Sequence, residues 1–135
     1  MATSRNFFVN LSVRDLAKSK AFFQSLGFEF NPKFSGEHAA CITINEQTSV
    51  MLGAEPFFKT LMHKEICNTA THVEGLFTLS CDSRAEVDEL VNKAIAAGGR
   101  TQDEPQDHGF MYDWGFIDLD GHHWGVFWMN PTAEQ

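Results

Sequence analysis

Cysteine, tyrosine and positive charge are all scarce in this chain. Its three cysteines, Cys41, Cys67 and Cys81, are odd in number and widely spaced, with no CxxC or CxxxC pair. That pattern supports neither a disulfide framework nor a thiolate zinc site, and leaves reduced thiols acting as small apolar residues. Ten Lys and Arg stand against 18 Asp and Glu, a net charge of −8. Nucleic acid and anionic membranes both need a positive footprint, so neither is an expected partner. No apolar run approaches the roughly 18 residues of a membrane span, and Met1–Asn10 has no apolar stretch of signal-peptide length. A cytoplasmic protein is expected. Common catalytic signatures are missing too: there is no Gly-x-Ser-x-Gly, and Gly98-Gly99 fits a helix stop better than a phosphate-cradling loop.

What the chain has in abundance is phenylalanine. Of 135 residues, 43% are apolar and 13% aromatic, with 13 Phe, three Trp and one Tyr. One domain is the default at this length, and folding should bury roughly two-thirds of the unfolded surface. So many apolar rings either fill a core or line an apolar cavity.

The hydrophobic pattern repeats. Asn6–Val13 reads as a strand, followed by Asp15 at an N-cap position, a helical run through Leu16, Phe22, Phe23 and Leu26, and a stop at Gly27. Strand-like runs follow at Phe28–Phe34, Ala39–Ile44 and Ser49–Leu52, the last two joined by the polar turn Asn45-Glu46-Gln47. Glu55-Pro56 opens a helical stretch to about Ile66, and Asn68–Glu74 is polar, like a linker. The opening pattern then returns: a strand at Leu76–Cys81, a capping box in Ser83-Arg84-Ala85-Glu86, and helical spacing through Val87, Leu90, Val91, Ala94 and Ile95 up to Gly98-Gly99. Strands are expected around Arg100–Glu104, Phe110–Ile117 and His122–Met129, the last pair joined by the hairpin signal Asp118-Leu119-Asp120-Gly121. The expected class is α+β: one domain over 1–135, built of two β-α-β-β-β half-domains at about 6–54 and 73–130, with a linker helix at about 55–72. The units are too few and too long for a solenoid.

Phe8-Val9-Asn10-Leu11-Ser12-Val13-Arg14-Asp15-Leu16, with Ser19, Phe22-Phe23 and Leu26-Gly27-Phe28, resembles the opening strand and helix of the vicinal oxygen chelate superfamily. That superfamily holds glyoxalase I, extradiol dioxygenases and the fosfomycin- and bleomycin-resistance proteins. Phe116-Ile117-Asp118-Leu119-Asp120-Gly121-His122-His123-Trp124 is similar to its closing hairpin, D-P-D-G-x-x-x-E. The resemblance implies duplicated halves whose curved mixed sheet encloses a cavity. It also implies a divalent metal in the enzymes, held by one His, Gln or Glu on each of four strands, with open positions for two substrate oxygens. Carried over, those positions read Phe8, Leu52, Leu76 and Gly125, none of which ligates a metal. Neither a metal nor another cofactor is expected. A displaced divalent site is the alternative, from His108, His122 and His123 with Asp107, Asp113 and Asp118. His122 and His123 are sequential in a strand, however, and face opposite sides of the sheet.

Three functions stay open on these residues. The first is a metal-free protein that binds a small aromatic or amphipathic molecule in an apolar cavity. Phe8, Asn10, Leu52, Leu76, Thr78, Tyr112, Trp114, His123, Gly125 and Phe127 are the expected ligand-binding residues. Gly125 is central, because a strand glycine often marks the close approach of a ligand or another backbone. The second is a glyoxalase-like lyase or dioxygenase with a non-standard site, its catalytic candidates His123 and His108. The third is an interaction module with fully packed sheets. Apolar groups on more than one side of the middle helix (Phe57, Phe58, Leu61, Met62) and the habit of relatives both point to a homodimer.

Overall fold

Alternation of apolar residues makes the first strand, and its end is set by a cap. The computed structural model describes residues 5–131. Residues 1–4, part of the segment scanned for a signal peptide, lie outside them. Strand β1 is Phe7–Val13, and helix α1, Leu16–Ser25, begins where the Asp15 carboxylate accepts from the Lys18 backbone N–H at 3.1 Å. It ends at Gly27, whose φ of +99° is the left-handed conformation that glycine adopts without strain. Then come β2 (Glu29–Phe30), β3 (Ala39–Thr43) and β4 (Thr48–Ala54), which form a four-stranded sheet in the order β1-β4-β3-β2. The β1–β4 pair is parallel and the other two are antiparallel.

Residues 67–131 repeat this plan. Strand β5 (Leu76–Ser80) leads into α3 (Arg84–Ala96), then β6 (Gln106–Asp107), β7 (Met111–Ile117) and β8 (His123–Met129), in the sheet order β5-β8-β7-β6. The duplicated α+β plan expected from sequence is therefore what the chain has. The two compact units divide between Ile66 and Cys67, within the stretch 55–72 expected as a linker helix.

Each sheet buries one face against its helix. In the first unit Leu11, Val13, Ala40, Ile42, Val50 and Leu52 share that face with Phe22 and Phe23 of α1, all nearly inaccessible to solvent. In the second, Phe116, Trp124 and Val126 pack with Val87, Val91 and Ala94 of α3. Burial of these side chains is the main drive for each unit, at about 1.5–3 kcal/mol for a large aliphatic or aromatic group.

Three elements differ from the sequence expectation. The strand expected at Phe28–Phe34 stops at Phe30, because Pro32 lacks an N–H for the ladder and Asn31 caps a 3-10 turn over Pro32–Phe34. The middle helix expected to reach Ile66 is only α2 (Glu55–Phe58) plus a 3-10 turn to Leu61. Only Phe58 finds a buried seat, while Leu61 and Met62 are 51% and 39% exposed, so nothing carries a longer helix forward. At 100–104 there is a single bridge, Arg100 to Ile117, and the edge strand lies beyond Pro105.

The capping box is modified as well. The Glu86 N–H donates to Ser83 Oγ at 3.1 Å as expected, but the Glu86 carboxylate accepts from the N–H of Asp82, at 2.8 Å, and not from Ser83.

Candidate functional site

The face of the second sheet that turns away from α3 carries the site. Strand alternation puts Leu76, Thr78 and Ser80 of β5 on that face, beside His123, Gly125, Phe127 and Met129 of β8. Met111, Asp113, Gly115 and Ile117 of β7 complete it. Gly115 and Gly125 are direct cross-strand partners and Thr78 is Gly125's partner on the other side, so the centre of the face carries two glycines with the Thr78 side chain leaning against Gly125. Over it lies a cavity of about 570 Å³, within the size range of small-molecule sites. Its walls come from these three strands and from Gln102, Asp103, Glu104 and Gln106 at the β6 edge. A sheet packed shut, as an interaction module would have it, is not what this unit presents.

The hairpin that joins β7 and β8 holds the two glycines in register. Asp118 Oδ1 accepts from the N–H groups of Asp120 and His122 at 2.9 and 3.0 Å, and Oδ2 accepts from the Trp124 indole at 3.0 Å. Gly121, at φ +83°, closes the turn. The linker is strapped to this hairpin: the Thr69 hydroxyl donates to the Asp120 carbonyl, and Glu74 pairs with the buried His122 ring. Burial pushes the Asp118 carboxyl above the usual range, opposed by its hydrogen bonds and by nearby His122.

Of the ten residues expected to bind ligand, six line this cavity: Leu76, Thr78, Trp114, His123, Gly125 and Phe127. Trp114 does so from an unexpected place. Its register partner is Val126, so it and Phe116 lie on the α3 side, not in the frame of Gly125. The Trp114 indole donates to the Asp103 carbonyl at 2.8 Å, which draws it to the β6 edge. Tyr112 is on the α3 side too, where its hydroxyl donates to Asp88 at 2.6 Å, and it does not line the cavity.

Phe8, Asn10 and Leu52 belong to the first unit. Phe8 and Asn10 share one face of that sheet, with Phe8 in edge-to-face contact with Phe34 at 5.9 Å. Leu52 is on the other face and fully buried, since it pairs with Leu11 and Ala40. Counting from the helix caps Asp15 and Ser83, Phe8 corresponds to Leu76 and Asn10 to Thr78. Asn10 pairs with Met51, and Thr78 pairs with Gly125. The counterpart of Gly125 is thus Met51, one residue before Leu52.

The four positions that the superfamily resemblance assigns to a metal therefore read Phe8, Met51, Leu76 and Gly125. None offers an imidazole or carboxylate, so this donor set does not fit a divalent cation. Among the described residues no group of three or more His, Cys, Asp or Glu is placed to hold a metal.

The cavity does hold titratable groups. His123 lines it, and His122, its neighbour, is buried, so the two diverge as alternation requires. His108 Nε2 lies 3.1 Å from Asp113 Oδ2, and Asp113 lines the cavity although His108 does not. Asp107 is occupied elsewhere: the Gly109 N–H and the Arg84 guanidinium hold its carboxyl below the ordinary value. Burial and the Glu86 carboxylate push the Cys81 thiol up to about 12, which disfavours the thiolate a nucleophile needs. Sequence reasoning missed Gly115, Ile117, Met111 and Met129. The hairpin contained the signal, since counting back from the loop 118–122 pairs Gly115 with Gly125.

A pair of βαβββ units with these sheet orders defines the class of fold. Residues 5–45 match the family described as bleomycin resistance protein-like N-terminal. The chain is 34% identical to a hypothetical protein, SA1046, from S. aureus, over 94% of each chain and with a TM-score of 0.78. It also shares the fold of a glyoxalase/bleomycin resistance protein/dioxygenase family enzyme from Burkholderia phytofirmans, at 19% identity over 90% and 96% of the chains and a TM-score of 0.74. A lactoylglutathione lyase from Agrobacterium tumefaciens matches at 18% identity over 99% and 100%, with a TM-score of 0.67. Its fold is that of the glyoxalase/bleomycin resistance/dioxygenase proteins, and its opening stretch matches a bleomycin resistance protein-like family. No curated protein matches it. Among the described residues, no helix is long and apolar enough to cross a membrane.

Proposed function

We propose that the second unit binds a planar, largely apolar organic molecule without the help of a metal. The observation that carries this is the Gly115–Gly125 pair beneath a cavity of about 570 Å³. Two facing glycines leave room for a ring beside the Thr78 side chain that leans on Gly125, while Phe127, Leu76, Ile117, Met111 and Met129 supply apolar walls. Thr78 and His123 are polar groups that orient the ligand. Sequestration or delivery is the role such a site suits.

A second reading is acid–base catalysis, favoured by His123 in the cavity and by the His108–Asp113 contact at its wall. Self-association into a homodimer is supported by apolar side chains exposed on the first unit, Phe7 at 63% and Phe34 at 50%. The free thiols of Cys41, Cys67 and Cys81 suit a reducing compartment such as the cytoplasm.

The test combines elemental analysis with calorimetry on planar organic compounds. The purified protein should carry no stoichiometric metal, and some planar compounds should bind and raise its melting temperature. Gly125→Met copies the residue of the first unit into the cavity floor, and should weaken binding by roughly a hundredfold through loss of space. Stoichiometric metal, or binding that Gly125→Met leaves intact, would sink the proposal.

A further inference from the structure

We propose that the ligand carries a positive charge, an organic ammonium or similar group, seated at the Asp113 end of the glycine floor. The proposal rests on the reading that this cavity takes a planar organic molecule, and adds the charge of that molecule and the residues that recognise it.

The cavity wall has a one-sided charge. Its carboxylates are Asp103, Glu104 and Asp113, and neither Lys nor Arg is among the lining residues. The nearby Arg84 is committed elsewhere: it pairs with Asp107, donates to the Gly109 carbonyl at 3.2 Å, and lies over the rings of Tyr112 and Trp128 on the α3 side. An anionic ligand would meet three like charges here, with no Lys or Arg in the wall to offset them. A cationic one would meet the reverse.

Position sharpens this. Asp113 and Phe127 are direct cross-strand partners, in the row next to Gly115–Gly125. A step of two residues along a strand is about 7 Å, so a ring lying on the glycines sets a short side arm over that pair. A carboxylate beside an aromatic ring suits an organic ammonium, which gains an ion pair from one and a cation–π contact from the other. The site does not suit a bare metal ion, since no third ligand stands beside Asp113 and His108. His108 Nε2 contacts one carboxylate oxygen, Oδ2, and the Asp113 side chain keeps 35% of its surface exposed.

Three probes of one shape and different charge provide the test: 2-naphthylmethylamine, 2-naphthylmethanol and 2-naphthoate, titrated calorimetrically into the full chain at neutral pH. The amine should bind roughly tenfold tighter than the alcohol, and the naphthoate more weakly than either. Asp113→Asn should erase the amine's advantage and leave the alcohol within about twofold of its wild-type affinity. Salt gives a readout that no mutant can confound by misfolding. Raising sodium chloride from about 20 mM to about 0.5 M should shrink the amine's advantage several-fold in the wild-type protein. Equal binding of amine and alcohol, a salt-independent advantage, or tightest binding of naphthoate would each overturn the charge inference while the planar-ligand reading stands. If none of the three binds, both fall.

Discussion

The two units share a plan and differ on the sheet face that turns away from the helix. In the first, the row across the open face of the sheet reads Asn10, Met51 and Cys41; in the second it reads Thr78, Gly125 and Gly115. Met51 and Cys41 put side chains where the second unit has bare backbone, and Cys41 is fully buried. The neighbouring row reverses the pattern. There the first unit has Gly53, against which Phe57 and Phe58 pack, and the second has Phe127 at the cavity wall. A duplicated fold has thus kept its helix-side core in both copies and used the other face differently. Sulfur side chains and a short helix occupy it in one unit, and a glycine-floored cavity in the other.

The sharpest way to break that contrast is to add a single carbon. A Cβ on Gly115 would sit 2.6 Å from the Trp124 carbonyl oxygen, which is backbone and cannot swing away. Gly115→Ala should destabilise the protein by about 3 kcal/mol, at the upper end of overpacking costs. Cys41→Ala, at the equivalent place in the first unit, removes only one sulfur and should cost about 1 kcal/mol. Urea unfolding of the two variants decides the matter. A near-neutral Gly115→Ala would mean that β7 and β8 part easily, and that the floor is no fixed surface.

The hairpin turns offer a second, smaller contrast. In the first unit Asn45 Oδ1 accepts from the N–H groups of Gln47 and Thr48 at 2.9 and 2.8 Å, in the open. Asp118 plays the same part in the second, but is buried and holds the Trp124 indole as well. Removing a buried acceptor strands its donors away from water, whereas donors at an exposed turn turn to solvent. Asp118→Ala should therefore cost about 2 kcal/mol more than Asn45→Ala, which should itself cost about 1 kcal/mol. Equal melting temperatures for the two variants would show that burial of the second turn contributes nothing.

Much of this plan was legible in the sequence because local signals agree with the global fold. The two capped helices, their glycine stops and the Asp118–Gly121 turn each name a place where the chain must change direction. What escaped was register. Leu52 and Met51 are neighbours on opposite faces, and so are Trp114 and Gly115; a pattern of apolar residues on both faces does not say which of two neighbours points where. In β7 both faces carry large residues, so periodicity alone does not say that Tyr112 and Trp114 stand on the α3 side while Gly115 faces away. The pairing Gly115–Gly125 was within reach by counting from the turn, because hairpin register follows from loop length. The Glu74–His122 contact was not, since nothing local links residues 48 apart in sequence.

The smallest expected effect belongs to the second unit alone, and the scarcity of tyrosine makes it measurable. Tyr112 is the only tyrosine in the chain. Its hydroxyl donates to the Asp88 carboxylate, which would be left facing a phenolate if the proton departed. That contact, with burial and the charges around it, pushes the phenol up to about 12. An unfolded tyrosine releases its proton near 10. Between those values the unfolded chain binds fewer protons than the folded one, so the contribution of Tyr112 to stability is whole below about pH 10 and is lost as pH rises toward 12. Cys81 adds to the loss in the same direction, because its thiol is likewise raised to about 12. Ultraviolet titration of the native protein reads the phenol directly, and should find its midpoint well above that of the urea-unfolded chain. Tyr112→Phe should then lose less stability than the wild type between about pH 9 and pH 11. A native midpoint near 10 would mean that the Asp88 contact does not persist in solution, and that β7 is held to α3 by its apolar residues alone.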